Sequence, residues 1–229
     1  MLEQSFLNFG YTKDEYEKIR NTFPVINLRD ETLLNNFENI TKFLLNNDYT
    51  KADIIKMTKT LPQLFGHSID NIKQKIDDIV NLGYTREDVI KMTKTLPSLF
   101  NLSIENIKQK IDDIISLGYT REEVIKMTKT LPALFGLSIE NIKQKINFYD
   151  SIDMHDLSVV NPKYLMQSTK LSYARYEFYK VKGIKIDMTN YRKLFLGSKR
   201  FEKQYGITKE ELLEKYKYED YIKTESKAK

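Results

Sequence analysis

A 35-residue segment occurs three times in succession in this 229-residue chain. Residues 49–83 read YTKADIIKMTKTLPQLFGHSIDNIKQKIDDIVNLG, residues 84–118 YTREDVIKMTKTLPSLFNLSIENIKQKIDDIISLG, and residues 119–153 YTREEVIKMTKTLPALFGLSIENIKQKINFYDSID. Neighbouring copies agree at 26 of 35 positions without a gap, which chance does not produce. A diverged copy precedes them, with Tyr11 and Pro24 in register. Another follows around Pro162, and ITKEELLEKY from Ile207 has the start of a last one. A fixed period of this length confines the fold to arrays in which each unit packs on its neighbours.

Each unit reads as helix, short turn, helix. Thr85 is an N-cap with Asp88 three residues on; Thr12 with Glu15, Thr120 with Glu123 and Thr208 with Glu211 are capping boxes. Pro97 lacks an amide hydrogen and clashes with the preceding turn, so the first helix stops before Leu96. The piece PSLF is short enough for a single 3-10 or α turn. Ser103 then caps a second helix that ends at Gly118. At 100° per residue, Val89, Met92, Thr93 and Leu96 share one face of the first helix. Ile104, Ile107, Ile111, Ile114 and Ile115 form the apolar stripe of the second. Two helices cannot close a core alone, so neighbours bury the stripes. The expected fold is all-α, a superhelical α-solenoid with short 3-10 turns. It forms a single domain over residues 1–218, with repeats at about 11–48, 49–83, 84–118, 119–153, 154–183 and 184–218. Residues 219–229 are expected to be a disordered charged tail.

Composition excludes several alternatives. The chain has no Cys, which removes disulfides, thiolate metal ligands and cysteine nucleophiles together. His67 and His155 have no ligand-like spacing around them, and no cofactor or metal is expected. No apolar run approaches a membrane span. There is no Gly-rich phosphate loop or Ser-His-Asp arrangement. Asp77–Asp78 recur as Asp112–Asp113, which suits solvated faces better than a catalytic pair. The N-terminus carries acids early and is not read as a secretory signal or a transit peptide.

The net charge of +5 is unevenly spread. Residues 1–48 carry −3, the repeats at 84–118 and 119–153 carry 0 each, and residues 154–203 carry +7. A concentrated positive field attracts polyanions, nucleic acid first.

The unit GYTREEVIKMTKTLPALFGLSIENIKQKI resembles that of the mitochondrial transcription termination factor (mTERF) family. The features that carry the likeness are Pro62, Pro97 and Pro132, followed by Leu64–Phe65, Leu99–Phe100 and Leu134–Phe135. PKYLMQSTKLSYARYEFYKVKGI is similar to the family's late repeats, with Arg175, Tyr176 and Gly183 in place; LFLGSKRFEKQYGITKEELLEKY is similar to its terminal segment. The resemblance implies a non-catalytic binder of nucleic acid, usually duplex DNA, in a basic concave groove, acting in organellar transcription, replication pausing, ribosome assembly or RNA processing. Arrays of the TAL-effector type also have two-helix repeats of about this length, but their base-reading loop is Gly-rich, whereas KTLPSLF is not.

Candidate contact residues follow. In a stacked array a repeated Lys becomes a ladder: Lys56/Lys91/Lys126 and Lys59/Lys94/Lys129 on the first helix, Lys73/Lys108/Lys143 on the second. Such contacts give affinity and register rather than sequence information. Lys91 also has Glu87, and Lys108 has Asp112, at i,i+4. Arg175, Arg192, Lys199, Arg200 and Lys170 stand out in the +7 segment, interleaved with aromatics that serve mostly as core. The expected partner is nucleic acid, duplex DNA before RNA, with no small-molecule substrate and no membrane, bound by a monomer. The expected site of action is intracellular: cytoplasm or nucleoid in a bacterium, the organelle in a eukaryote with a removed transit peptide. A protein-binding scaffold is the alternative, suggested by the neutral middle repeats.

Overall fold

The computed structural model describes residues 1–22 and 29–222, and these contain no strand. Pro24 lies outside the described residues. The chain divides into two compact units, residues 1–135 and 136–229, and the division falls inside a 3-10 turn rather than at a repeat boundary.

In the first unit, α1 (Leu2–Phe9), α2 (Lys13–Thr22) and α3 (Asp30–Leu45) precede two whole repeats. These are α4 (Lys51–Thr60) with α5 (Ile69–Asn81), and α6 (Arg86–Thr95) with α7 (Ile104–Ile115). The first helix of the third copy is α8 (Arg121–Thr130). The 3-10 turns Pro62–Gly66 and Pro97–Asn101 link the helices of each pair, as the Pro placement requires. Thr85 and Thr120 form reciprocal capping boxes and Ser103 accepts the amide three residues on, as read; Thr50 and Ser68 do the same in the copy before. Ile54, Met57, Leu64, Phe65, Ile72, Ile76 and Ile79 are buried, and so are their equivalents one repeat later. The second-helix stripe is narrower than the wheel suggests: Ile107, Ile111 and Ile114 are buried, whereas Ile104 and Ile115 are half-buried. Gly83 takes φ +112° between α5 and α6, a conformation that costs any residue with a Cβ.

Consecutive repeats are joined by buried polar contacts as well as apolar ones. The hydroxyls of Tyr11, Tyr49 and Tyr84 reach Thr58, Thr93 and Thr128 at 2.7, 2.5 and 2.6 Å. His67, which replaces a Leu of the other copies, meets Asn101 of the next turn at 2.9 Å.

The second unit holds α9 (Ile139–Asp150), α10 (Leu157–Val160), α11 (Thr169–Val181), α12 (Ser198–Tyr205) and α13 (Lys209–Lys215). The repeat decays along it. First helices have ten residues in the earlier copies, but α10 has four, and Asp156 at its start makes no side-chain cap bond. The copy around Tyr191 has none: Asp187 accepts from the Thr189 amide, and Asn190 bridges the Asp187 amide and the Lys185 carbonyl, a turn that competes with helix. Phe178, Tyr179, Phe201 and Tyr205 form one aromatic cluster between α11 and α12, the core role expected of them. Residues 218–222 are helical and Tyr218 is buried, so the first residues of the segment expected to be a disordered tail are ordered. Residues 223–229 lie outside the described residues.

Candidate nucleic-acid interface

The cations of the +7 segment divide sharply by environment. Lys170 pairs with Glu219 at 2.7 Å and Lys180 with Glu177 at 3.5 Å. Lys163, Lys182, Lys185, Arg192, Lys193, Lys199, Arg200 and Lys203 have no carboxylate within ion-pair distance among the described residues. Arg192 and Lys193 lie in the 3-10 turn Tyr191–Phe195, and Lys199 and Arg200 in the first turn of α12; all four are exposed.

The start of α12 differs from the starts of the repeat helices. Helices α4, α6 and α8 carry acids in the first turn and a threonine cap. Helix α12 has Gly197 at its N-cap, no side-chain cap bond and two cations in its first turn. Free amides and the positive end of the helix dipole thus point where the side chains are already positive. Such a helix start repels cations and favours an anion.

Arg175 is a correction to the expected contact residues. It is 4% exposed on α11, donates from Nη1 to the Leu194 carbonyl at 2.8 Å, and its guanidinium lies 5.0 Å from the centre of the Phe201 ring. Its Nε has no partner among the described residues. Burial lowers its pKa from the usual arginine value. A buried guanidinium does not reach phosphate. It ties α11 to the turn that carries Arg192 and Lys193 and to the helix that carries Lys199 and Arg200.

The lysine ladders also divide. Lys59, Lys94 and Lys129 reach back one repeat to Glu15, Asp53 and Asp88, at 2.6, 2.9 and 3.7 Å. Those acids are the capping-box residues of the preceding first helix. The Lys59 ammonium, and after it the Thr12 amide, hold the Glu15 carboxyl below its usual range. Lys94 also donates to the Asp48 carbonyl at 2.7 Å. This ladder is therefore first of all a set of inter-repeat ties. Lys91 pairs with Glu87 at 2.6 Å, as its i,i+4 spacing suggests, while Lys56 and Lys126 are exposed with no acid in range among the described residues. Lys73 pairs weakly with Asp70 at 3.7 Å. Lys108 and Lys143 are exposed; the expected Lys108–Asp112 pair does not form, because Asp112 faces Arg121 at 3.8 Å.

Lys18 was missed. It is exposed on α2 and stands seven residues after Tyr11, as Lys56 stands after Tyr49, so the tyrosine register would have found it. Among the described residues no group of three or more His, Asp or Glu could hold a metal ion, and no helix is long and apolar enough to cross a membrane.

Tandem helix–3-10–helix units with an exposed basic segment define a class, the helical-repeat binders of nucleic acid. The chain belongs to the mTERF family: the family model, described as mTERF, matches residues 25–202. Proteins of this family are generally non-catalytic nucleic-acid binders. A comparison with curated proteins finds no match.

Proposed function

We propose that this protein binds double-stranded DNA without catalysing a reaction on it, and acts in the regulation or termination of transcription. The observation that carries this reading is the exposed group Arg192, Lys193, Lys199 and Arg200 beside the uncapped start of α12. Four cations with no carboxylate partner, next to free helix amides, suit the closely spaced charges of a sugar-phosphate chain. Arginine adds bidentate recognition of phosphate or of a guanine edge. An intracellular site of action, where nucleic acid is transcribed, belongs to the same proposal.

The test is the salt dependence of binding. With about six phosphates engaged, log K falls against log salt with a slope near −5 for duplex DNA. Arg192→Gln with Arg200→Gln makes that slope shallower. Competition by single-stranded DNA and by structured RNA ranks the ligands, and tighter binding to RNA overturns the duplex-DNA reading. Absence of binding to all three at low salt overturns nucleic-acid binding itself.

A further inference from the structure

In the first unit the ends of successive second helices are joined by an arginine of the chain itself. Arg86, two residues after Tyr84, donates to Asn47 Oδ1 from Nε and Nη2 at 3.3 and 3.1 Å and pairs with Asp77 of α5 at 3.1 Å. Arg121, two residues after Tyr119, donates to the Leu82 carbonyl at 2.9 Å and faces Asp112 of α7 at 3.8 Å. Each guanidinium thus links the residue just past one second helix to an acid near the end of the next.

The second unit keeps this junction without its arginine. The position of the repeat tyrosine is marked by an amide that reaches back five residues, as Tyr49 reaches Leu44 at 3.2 Å. Met154 holds it after α9 and Ile184 after α11, with amides 2.8 and 2.9 Å from the Tyr149 and Tyr179 carbonyls. Two residues after Ile184, in the register of Arg86 and Arg121, stands Ile186, which is 5% exposed. A cleft of about 430 Å³ lies here, with Ile152, Asp153, Tyr176, Lys180, Lys185 and Asp187 in its lining. Its two acids balance its two lysines, so it is no seat for a polyanion.

The groups that meet an arginine in the first unit are retained. Ile152 has the register of Asn47 and Leu82, and Glu177 on α11 that of Asp112. Glu177 is met by Lys180 of its own helix at 3.5 Å, a lysine side chain 65% exposed. Asp153 adds a further exposed carboxylate at φ +56°, where the next two copies back have Gly83 and Gly118.

We infer that this cleft binds an arginine side chain of a partner protein, which supplies from outside the guanidinium that the first unit supplies from within. The planar fork donates to the Ile152 carbonyl and to the carboxylates of Glu177 and Asp153, and Tyr176 offers a ring for its plane to stack on. Bidentate pairing displaces Lys180, whose contact with Glu177 is of the weak, exposed kind. A lysine ammonium is a hydrated point charge and does not span the three acceptors. The inference does not depend on nucleic-acid binding.

The probe is the blocked tripeptide acetyl-Gly-Arg-Gly-amide, with acetyl-Gly-Lys-Gly-amide as its charge-matched control. Each is added at millimolar concentration to the full chain and followed by amide NMR shifts. Saturable shifts in residues 151–153 and 183–187 are expected with the arginine peptide, and binding at least threefold weaker with the lysine peptide. Asp153→Gly restores the residue of the earlier copies, so it should fold, and should weaken binding by about two- to fivefold, the worth of one exposed ion pair. Ile186→Arg rebuilds the internal guanidinium and should abolish binding; thermal unfolding checks that it folds, and the Asp153→Gly result stands without it. The site is overturned by the absence of saturable shifts in these residues, by an equal response to both peptides, or by Asp153→Gly binding like the unaltered protein. Tighter binding of free arginine than of the blocked peptide overturns the assignment to a partner protein.

Discussion

The Tyr49 hydroxyl lies 2.5 Å from Thr93 Oγ1, within the core between one repeat and the next. Thr93 Oγ1 is also 2.9 Å from the Val89 carbonyl, to which it donates its single hydrogen. The threonine is then the acceptor and the tyrosine the donor. The same relation holds for Tyr11 with Thr58 and for Tyr84 with Thr128. A buried polar pair tolerates little sliding, so each pair sets the register of one repeat on the next. Tyr84→Phe is expected to cost about 0.5–1.5 kcal/mol in chemical denaturation, the usual net worth of one such bond. Thr128→Val strands the Tyr84 hydroxyl instead and should cost more, about 1–3 kcal/mol.

Alkali should unfold the protein through the same residues. Burial pushes the Tyr49 and Tyr84 hydroxyls up to about 12 from an ordinary 10.0. Between these values the unfolded chain loses protons that the folded chain keeps, so rising pH favours unfolding. The tyrosine contribution is fully present below pH 10 and is lost as pH climbs to about 12. Each residue accounts for on the order of 1–3 kcal/mol over that window. Denaturant midpoints measured across it should fall, and Tyr49→Phe with Tyr84→Phe should reduce the fall.

The repeat modules were legible because their signals are local. A Thr-x-x-acid box, a Pro and a Ser cap each act within a few residues, and the structure places all three kinds where the chain is most regular. The lysine ladders were legible as positions but not as partners. Nothing in the spacing of Lys94 points to Asp53, because 41 residues separate them and only the stacking of repeats brings them to 2.9 Å. Arg175 failed for a similar reason. Charge next to aromatics reads as surface, yet its helix turns it toward Leu194 and Phe201, contacts made by packing. The missing first helix before Tyr191 reflects a competing turn at Asp187, Thr189 and Asn190, visible in composition only after the fact.

Arg175 makes a distinct prediction from the exposed cations. Arg175→Ala leaves a cavity beside Phe201 and a carbonyl at Leu194 without its donor, and is expected to cost about 2–4 kcal/mol. Arg175→Met fills most of the space and removes a buried charge, so it should recover at least half of that loss. Neither change removes a phosphate contact. Binding by the Met variant should therefore weaken through a loosened 191–205 segment while the salt slope stays that of the unaltered protein. A slope that drops by about 0.9 would mean that the guanidinium does reach phosphate.

Stability and binding should move in opposite directions at the start of α12. Lys199 and Arg200 sit where the helix dipole is positive, and no acid offsets them within the first turn. Each cation so placed costs the helix roughly what a matched anion would add, about 0.3–1 kcal/mol at low ionic strength. Lys199→Glu with Arg200→Glu should accordingly raise the unfolding midpoint slightly, and added salt should shrink the gain. The same pair of changes should weaken duplex binding by about tenfold or more and flatten the salt slope, because two favourable phosphate interactions become repulsive. Thermal unfolding and binding measured on the same preparation separate the two effects. A variant that gains stability but binds as before would show that the positive start of α12 serves something other than a polyanion.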